Sequence, residues 1–281
     1  MADPQPGPSV SSGADLSTTQ VWRTLLAGQL RSQLSYRSSF ALNTVSSFLI
    51  GWLEFGEIFV LLHNTPTLGG LDFAQAGLVF AMANLGFSIG DLVFGQLDSI
   101  PVYIRSGRLE VFLVRPMPLM AQMITSTVQL RRIGRAVVGV VVMIVALSLL
   151  DLDLTPARIY LLVVTPLIGA VVYGSFFVAA GGLQFYLIDG SEFTNAFVYG
   201  GSYASQLPGS VLITPLRVFF TFVVPATVTS FLPTLLILGM PGPALTPAWL
   251  GWLAPAFAIW AWLVALFAWR RGVRRYTGAG G

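Results

Sequence analysis

Residues 40–62 read FALNTVSSFLIGWLEFGEIFVLL, and this stretch decides what kind of molecule the chain is. Wound as an α-helix at 1.5 Å per residue, it is about 34 Å long, enough to cross a hydrocarbon core of about 30 Å. Further apolar runs follow at 73–94, 136–150, 160–188, 211–238 and 249–269, separated by short polar stretches. Of the 281 residues, 55% are hydrophobic and only 10% charged, whereas a soluble globular protein carries about 25% charged residues. The sequence therefore predicts an all-α integral membrane protein.

The residue types that are missing narrow the chemistry. All 15 basic residues are Arg, and the chain has no Cys. Without Lys there is no Walker A loop and no Schiff-base chemistry. Without Cys there is no disulfide, thiolate metal site or cysteine nucleophile. His63 is the sole histidine, which leaves no His-based metal cluster. It is expected beside Asn64 at a membrane boundary. The net charge of +3 comes with no basic stripe interleaved with aromatics, so nucleic acid is not an expected partner.

Outward from the first span, residues 1–16 are rich in Pro, Gly and Ser and read as a disordered tail. Residues 17–39 carry Val21, Trp22, Leu25, Leu26, Leu30 and Leu34 at helical spacing among arginines. This pattern fits an amphipathic helix lying in the membrane interface. The six-span domain covers 40–271, and a cytoplasmic tail covers 272–281. The run 136–150 is short, so Arg132 and Arg135 are expected to snorkel to the interface. Pro166 and the Gly181-Gly182 pair predict a tilted or kinked fourth span, and paired glycines allow close helix approach. Trp22, Trp249, Trp252 and Trp269 fall near predicted interfaces, as aromatic-belt anchors do.

The stretch 189–239 admits two readings. It holds a surface segment followed by one span, or one span followed by a re-entrant helix pair on the outer side. The first keeps Arg217 with the other arginines and is preferred on that ground. With both termini cytoplasmic, Arg158 is then the lone arginine on the outer side, as the positive-inside rule favours.

The longest arginine-bearing connection, 98–118, contains Ile104-Arg105-Ser106-Gly107-Arg108-Leu109-Glu110 and then Phe112-Leu113-Val114-Arg115-Pro116. Gly107 permits a sharp reversal, 109–114 can form a short helix, and Pro116 and Pro118 would stop it. This segment resembles the signature of a family of bacterial permeases within the type-2 ABC exporters. There a basic residue, Gly, a basic residue, Leu, an acidic residue and Leu-x-Arg-Pro recur after the second span. Arg105, Gly107, Arg108, Leu109, Glu110, Leu113, Arg115 and Pro116 match, with Glu110 where Asp is commoner. A second likeness lies in the pattern around Leu216-Arg217, Pro225-Ala226 and Pro233 through Gly239. The resemblance implies a non-catalytic transmembrane subunit in the bacterial plasma membrane. It also implies pairing with a second permease, the same or homologous, and with two copies of an ABC ATPase. That ATPase would bind ATP and Mg, and this chain would bind no cofactor. Ile104 through Pro116 would then be the contact that couples the ATPase to the spans.

Three acidic residues fall within spans: Glu54, Glu57 and Asp91. A charge at the bilayer centre costs about 2.5–3.5 kcal/mol on insertion scales, so such residues usually face protein or water. They line a translocation path, or they bond to neighbouring helices near the interfaces. The competing function, a standalone proton-coupled carrier, would use the same three carboxylates.

Overall fold

The computed structural model describes residues 37–126, 132–187 and 195–276, together with 28, 129 and 192. The tail 1–16 and most of the expected interfacial helix 17–39 lie outside them. Every extended element among the described residues is helical. Four helices are long and apolar enough to cross a membrane, and a shorter apolar helix accompanies them. Apolar side chains such as Leu42, Leu53, Ile144, Val163 and Leu263 stand exposed around the bundle, a surface suited to hydrocarbon and not to water.

Helix α1 spans Arg37–Asn64 and α2 spans Phe73–Phe94. Asp72 caps α2 by accepting from the Gln75 amide while the Gln75 side chain accepts from the Asp72 amide, so two otherwise orphaned donors are satisfied. A bent connection follows: a turn at Gly95–Ser99, then α3 (Ile100–Arg105), α4 (Arg108–Leu113) and α5 (Leu119–Ser126). We call this connection the elbow. The chain returns in α6 (Ile133–Leu149), turns at 150–155, and runs back in α7 (Pro156–Gln184). Thr155 caps α7 and Pro156 occupies its first position, where a missing N–H costs nothing. Pro166 sits inside α7, which remains one helix throughout. The final helix, α11 (Ala254–Arg275), ends at the elbow end with Arg274 and Arg275 in its last turn.

Glycine sets how closely the helices approach. A side chain on Gly86 of α2 would meet the Gly169 Cα of α7 at 3.0 Å. One on Gly182 would meet the Trp269 amide at 2.6 Å, and Gly272 abuts the Gly182 carbonyl. Such small-residue contacts replace the hydrophobic drive that lipid cannot supply. The expected role of Gly181-Gly182 is therefore found. Gly200 has open space around it and Gly201 meets ordinary contacts only. Trp269 is not an interface anchor: it is 7% exposed, packed between Gly181 and Phe185 in the elbow-half core. Trp249 and Trp252 are exposed, as belt residues are.

The stretch 195–239 forms a run along the bundle followed by a helical hairpin, which is the shape of the second arrangement and not of the preferred one. Tyr199 donates to Asp98 at the elbow end (2.8 Å), whereas Ser210 donates to the Gly69 carbonyl in the loop at the far end (2.6 Å). The segment between them, including α8 (Gly200–Gln206), thus travels the length of the bundle. Helix α9 (Thr214–Phe222) then descends from the far end, and Val224 reaches the level of Gly201. Helix α10 (Phe231–Leu238) climbs back, with Ser230 held to the Ser205 carbonyl at 2.7 Å. Arg217 therefore lies in the first turns of a helical hairpin that starts at the far end of the bundle. Pro215 and Pro225 explain why: each ends or starts a short helix where an unbroken span would need an amide donor.

Candidate functional site

Two features stand out: the elbow, and a charged network inside the elbow half of the bundle. In the elbow, Gly107 adopts φ +68°, the left-handed conformation that glycine accepts without Cβ strain, and reverses the chain between α3 and α4. The short helix begins at Arg108 and ends at Leu113, one residue earlier at each end than the sequence spacing suggests. Leu109 is wholly buried against the core that holds Leu97, Ile100 and Met123, and Ile104 is half-buried. Arg105, Arg108, Glu110, Leu113, Arg115 and Pro116 are exposed, alongside the apolar Val111 and Val114. The matched residues thus divide into an anchor, Leu109, and an outward face that is both basic and apolar.

The elbow is held by polar side chains that sequence reasoning missed. Buried Gln122 donates to the Phe112 and Met117 carbonyls at 2.9 and 2.8 Å, satisfying the open end of α4. Tyr103 packs edge-on against Phe112, and its hydroxyl meets Ser126 at 3.2 Å. Gln96 donates to Ser99 and Tyr103 and accepts from Gln129. At the C-terminal end of α11, Tyr276 meets Phe185 edge-on. Desolvation and then the Glu110 charge push its phenol above the usual range, which puts the last described residue near the elbow. Only a search for buried amides beside helix ends could have flagged Gln122, and periodicity does not rank such residues.

Inside the bundle, Arg135 of α6 grips Glu54 of α1, with Nε to Oε2 at 3.2 Å and Nη2 to Oε1. Gln206 of α8 donates to the same Oε2 at 3.2 Å. Arg132 meets Asp91 Oδ1 at 2.9 Å and also donates to the Asp91 carbonyl. These arginines turn inward instead of snorkelling: their side chains are 12% and 15% exposed, and Arg135 also covers the Phe87 ring at 5.0 Å. Gly95 makes the second pair possible, since a side chain there would overlap both Arg132 and Asp91. Of the three carboxylates expected to act together, Glu54 and Asp91 each pair with an arginine, and the two arginines line one cavity. Glu57, less than one turn further along α1 than Glu54, is exposed instead. His63 stacks on Phe59 at the end of α1. Among the described residues no cluster of His, Cys, Asp or Glu could hold a metal.

A family model described as ABC-2 family transporter protein matches residues 48–280, which include the elbow and every charge in this network. The chain belongs to the ABC-2 transporter family. No curated protein and no solved structure matches it. As an ABC-2 transporter protein the chain is a multi-pass membrane permease, and membership implies an ATPase partner. The ABC-2 assignment also fits a chain with no phosphate-binding loop of its own.

Proposed function

We propose that this chain is the permease subunit of an ATP-driven exporter in a bacterial plasma membrane, and that its elbow receives the stroke of a separate ATPase. The carrying observation is the build of the elbow. A short helix, buried through Leu109 and fastened by Gln122, presents Arg105, Arg108, Glu110, Leu113 and Arg115 outward. A rigid lever of this kind transmits a push into α2 and α5, where a flexible loop would absorb it.

In this reading the chain crosses the membrane six times: the four long helices, α6, and the composite run ending near Ser210. Both termini and the elbow face the cytoplasm, which places Arg105, Arg108, Arg115 and the four arginines 270–275 there. Arg158 and Arg217 lie outside. Two permeases, identical or homologous, form the translocation path with two ATPase copies that bind ATP and Mg. Lipid surrounds the pair. The proton-carrier alternative is weakened because Glu54 and Asp91 are committed to arginines, leaving only Glu57 exposed.

The test is co-purification of the full chain with its ATPase, followed by export and ATP hydrolysis in the charge-swapped Arg108→Glu, Glu110→Arg variant. Loss of assembly, or ATP hydrolysis without export, is expected. Wild-type assembly and export would overturn the coupling role.

A further inference from the structure

Between α1, α2, α6 and the 195–199 turn lies a cavity of about 160 Å³ lined by Ser47, Ile50, Asp91, Arg132, Arg135 and Tyr199. Among the described residues, two guanidinium groups against one carboxylate line it, an unusual set for the inside of an apolar bundle. Glu54, which balances Arg135, stands behind the wall with both oxygens already engaged. Asp98 also stands behind it, bonded to the Tyr199 hydroxyl. We propose that this cavity is a binding site for an oxyanion, specifically the phosphate group of an amphiphile that enters from the bilayer.

The donor geometry carries the argument. Arg135 spends Nε and Nη2 on Glu54, and Arg132 spends Nη1 on Asp91. Nη1 of Arg135 and the Nε and Nη2 of Arg132 have no protein acceptor among the described residues. Arg217 Nε is sealed from solvent without a partner, but no nitrogen of Arg132 or Arg135 is. The spare donors therefore open on the cavity. A guanidinium carries five N–H donors and binds phosphate along a second edge while keeping a carboxylate on the first.

The position selects the source. Arg132 directly precedes the first residue of α6, so the site lies at the depth of a lipid headgroup in the elbow-side leaflet. Ile50 both lines the cavity and is 49% exposed on the outer face of α1, which makes a lateral doorway with apolar sides. Helix α1 is thinly packed within this chain, with 17% of its most apolar window buried against 72% for the span that holds α2, so no other helix of this chain closes the doorway. A headgroup can enter while its acyl chains remain in hydrocarbon.

The site does not depend on elbow coupling, and its failure would leave the coupling proposal standing. The test uses the purified full chain in detergent, with its melting temperature read by tryptophan fluorescence. The probes are dioleoylphosphatidylglycerol, dioleoylglycerol and inorganic phosphate. The phospholipid should raise the melting temperature by on the order of 5 °C at a hundredfold excess over Kd, and the uncharged diacylglycerol should not. Ile50→Trp and Ser47→Leu, which fill the cavity and leave both ion pairs intact, should each abolish that rise. The two variants guard against one folding poorly. A rise with inorganic phosphate alone would keep the oxyanion site and rule out the lipid as its source. Equal response to phospholipid and diacylglycerol, or a response that survives both variants, would overturn the site.

Discussion

Glu54 and Arg135 lie 81 positions apart in the chain and meet as a two-pronged ion pair, with Gln206 as a third member. This one contact joins α1, α6 and α8. The contact also holds the least buried of the four long helices. Removing one partner from a buried pair leaves an uncompensated charge, which costs about 3–5 kcal/mol, whereas replacing both by apolar residues is often neutral. Glu54→Ala should therefore lower the melting temperature in detergent sharply, and Glu54→Leu with Arg135→Met should recover most of the loss. Equal melting of single and double variants would show that the pair does not hold α1.

Gly95 leaves the space that the Arg132–Asp91 pair occupies. Gly95→Ala should force the two side chains apart and destabilise the protein by about 1–3 kcal/mol, as overpacking does. Gly56→Ala, at a position with nothing within 4 Å, is the matched control and should be neutral or slightly stabilising through helix propensity. Thermal melting of the two variants side by side checks this.

Gln122 closes the end of α4 by donating to two carbonyls. Gln122→Leu should leave both unpaired at about 1–3 kcal/mol. The effect should be local: faster protease nicking near 112–118 with little change in global melting. In the assembled complex ATP hydrolysis should persist while export falls.

The absence of native cysteine makes the orientation directly testable. Val114, 84% exposed on the elbow, and Thr67, exposed in the far loop, are suitable labelling sites. In intact cells a membrane-impermeant maleimide should label Thr67→Cys and reach Val114→Cys only after lysis. The reverse pattern would invert the topology and remove the elbow from any cytoplasmic ATPase.

The bounds of α2 and the existence of α6, α7 and α11 were legible because long apolar runs leave a helix no alternative in hydrocarbon. Gly107 as a reversal was legible for the same kind of local reason. Arg132 and Arg135 were not. An arginine at the start of an apolar run snorkels unless a carboxylate on another helix waits inside, and Glu54 and Asp91 lie 81 and 41 positions away from them. The hairpin at 214–238 was misjudged because the arginine count favoured keeping Arg217 with its fellows. The prolines at 215 and 225 were the better guide, since a backbone break acts at once and a single misplaced arginine is tolerated.

At Gly182 and Gly272 the backbones of α7 and α11 touch with no side chain between them. Rods in such contact cannot slide without collision, but they can rock. The crossing lies near one end of α7, with 26 residues, or about 39 Å, of helix between it and Pro156. A tilt of about 5° there would swing the opposite tip by about 3 Å, so a small displacement near this crossing becomes a wide excursion on the other face of the membrane.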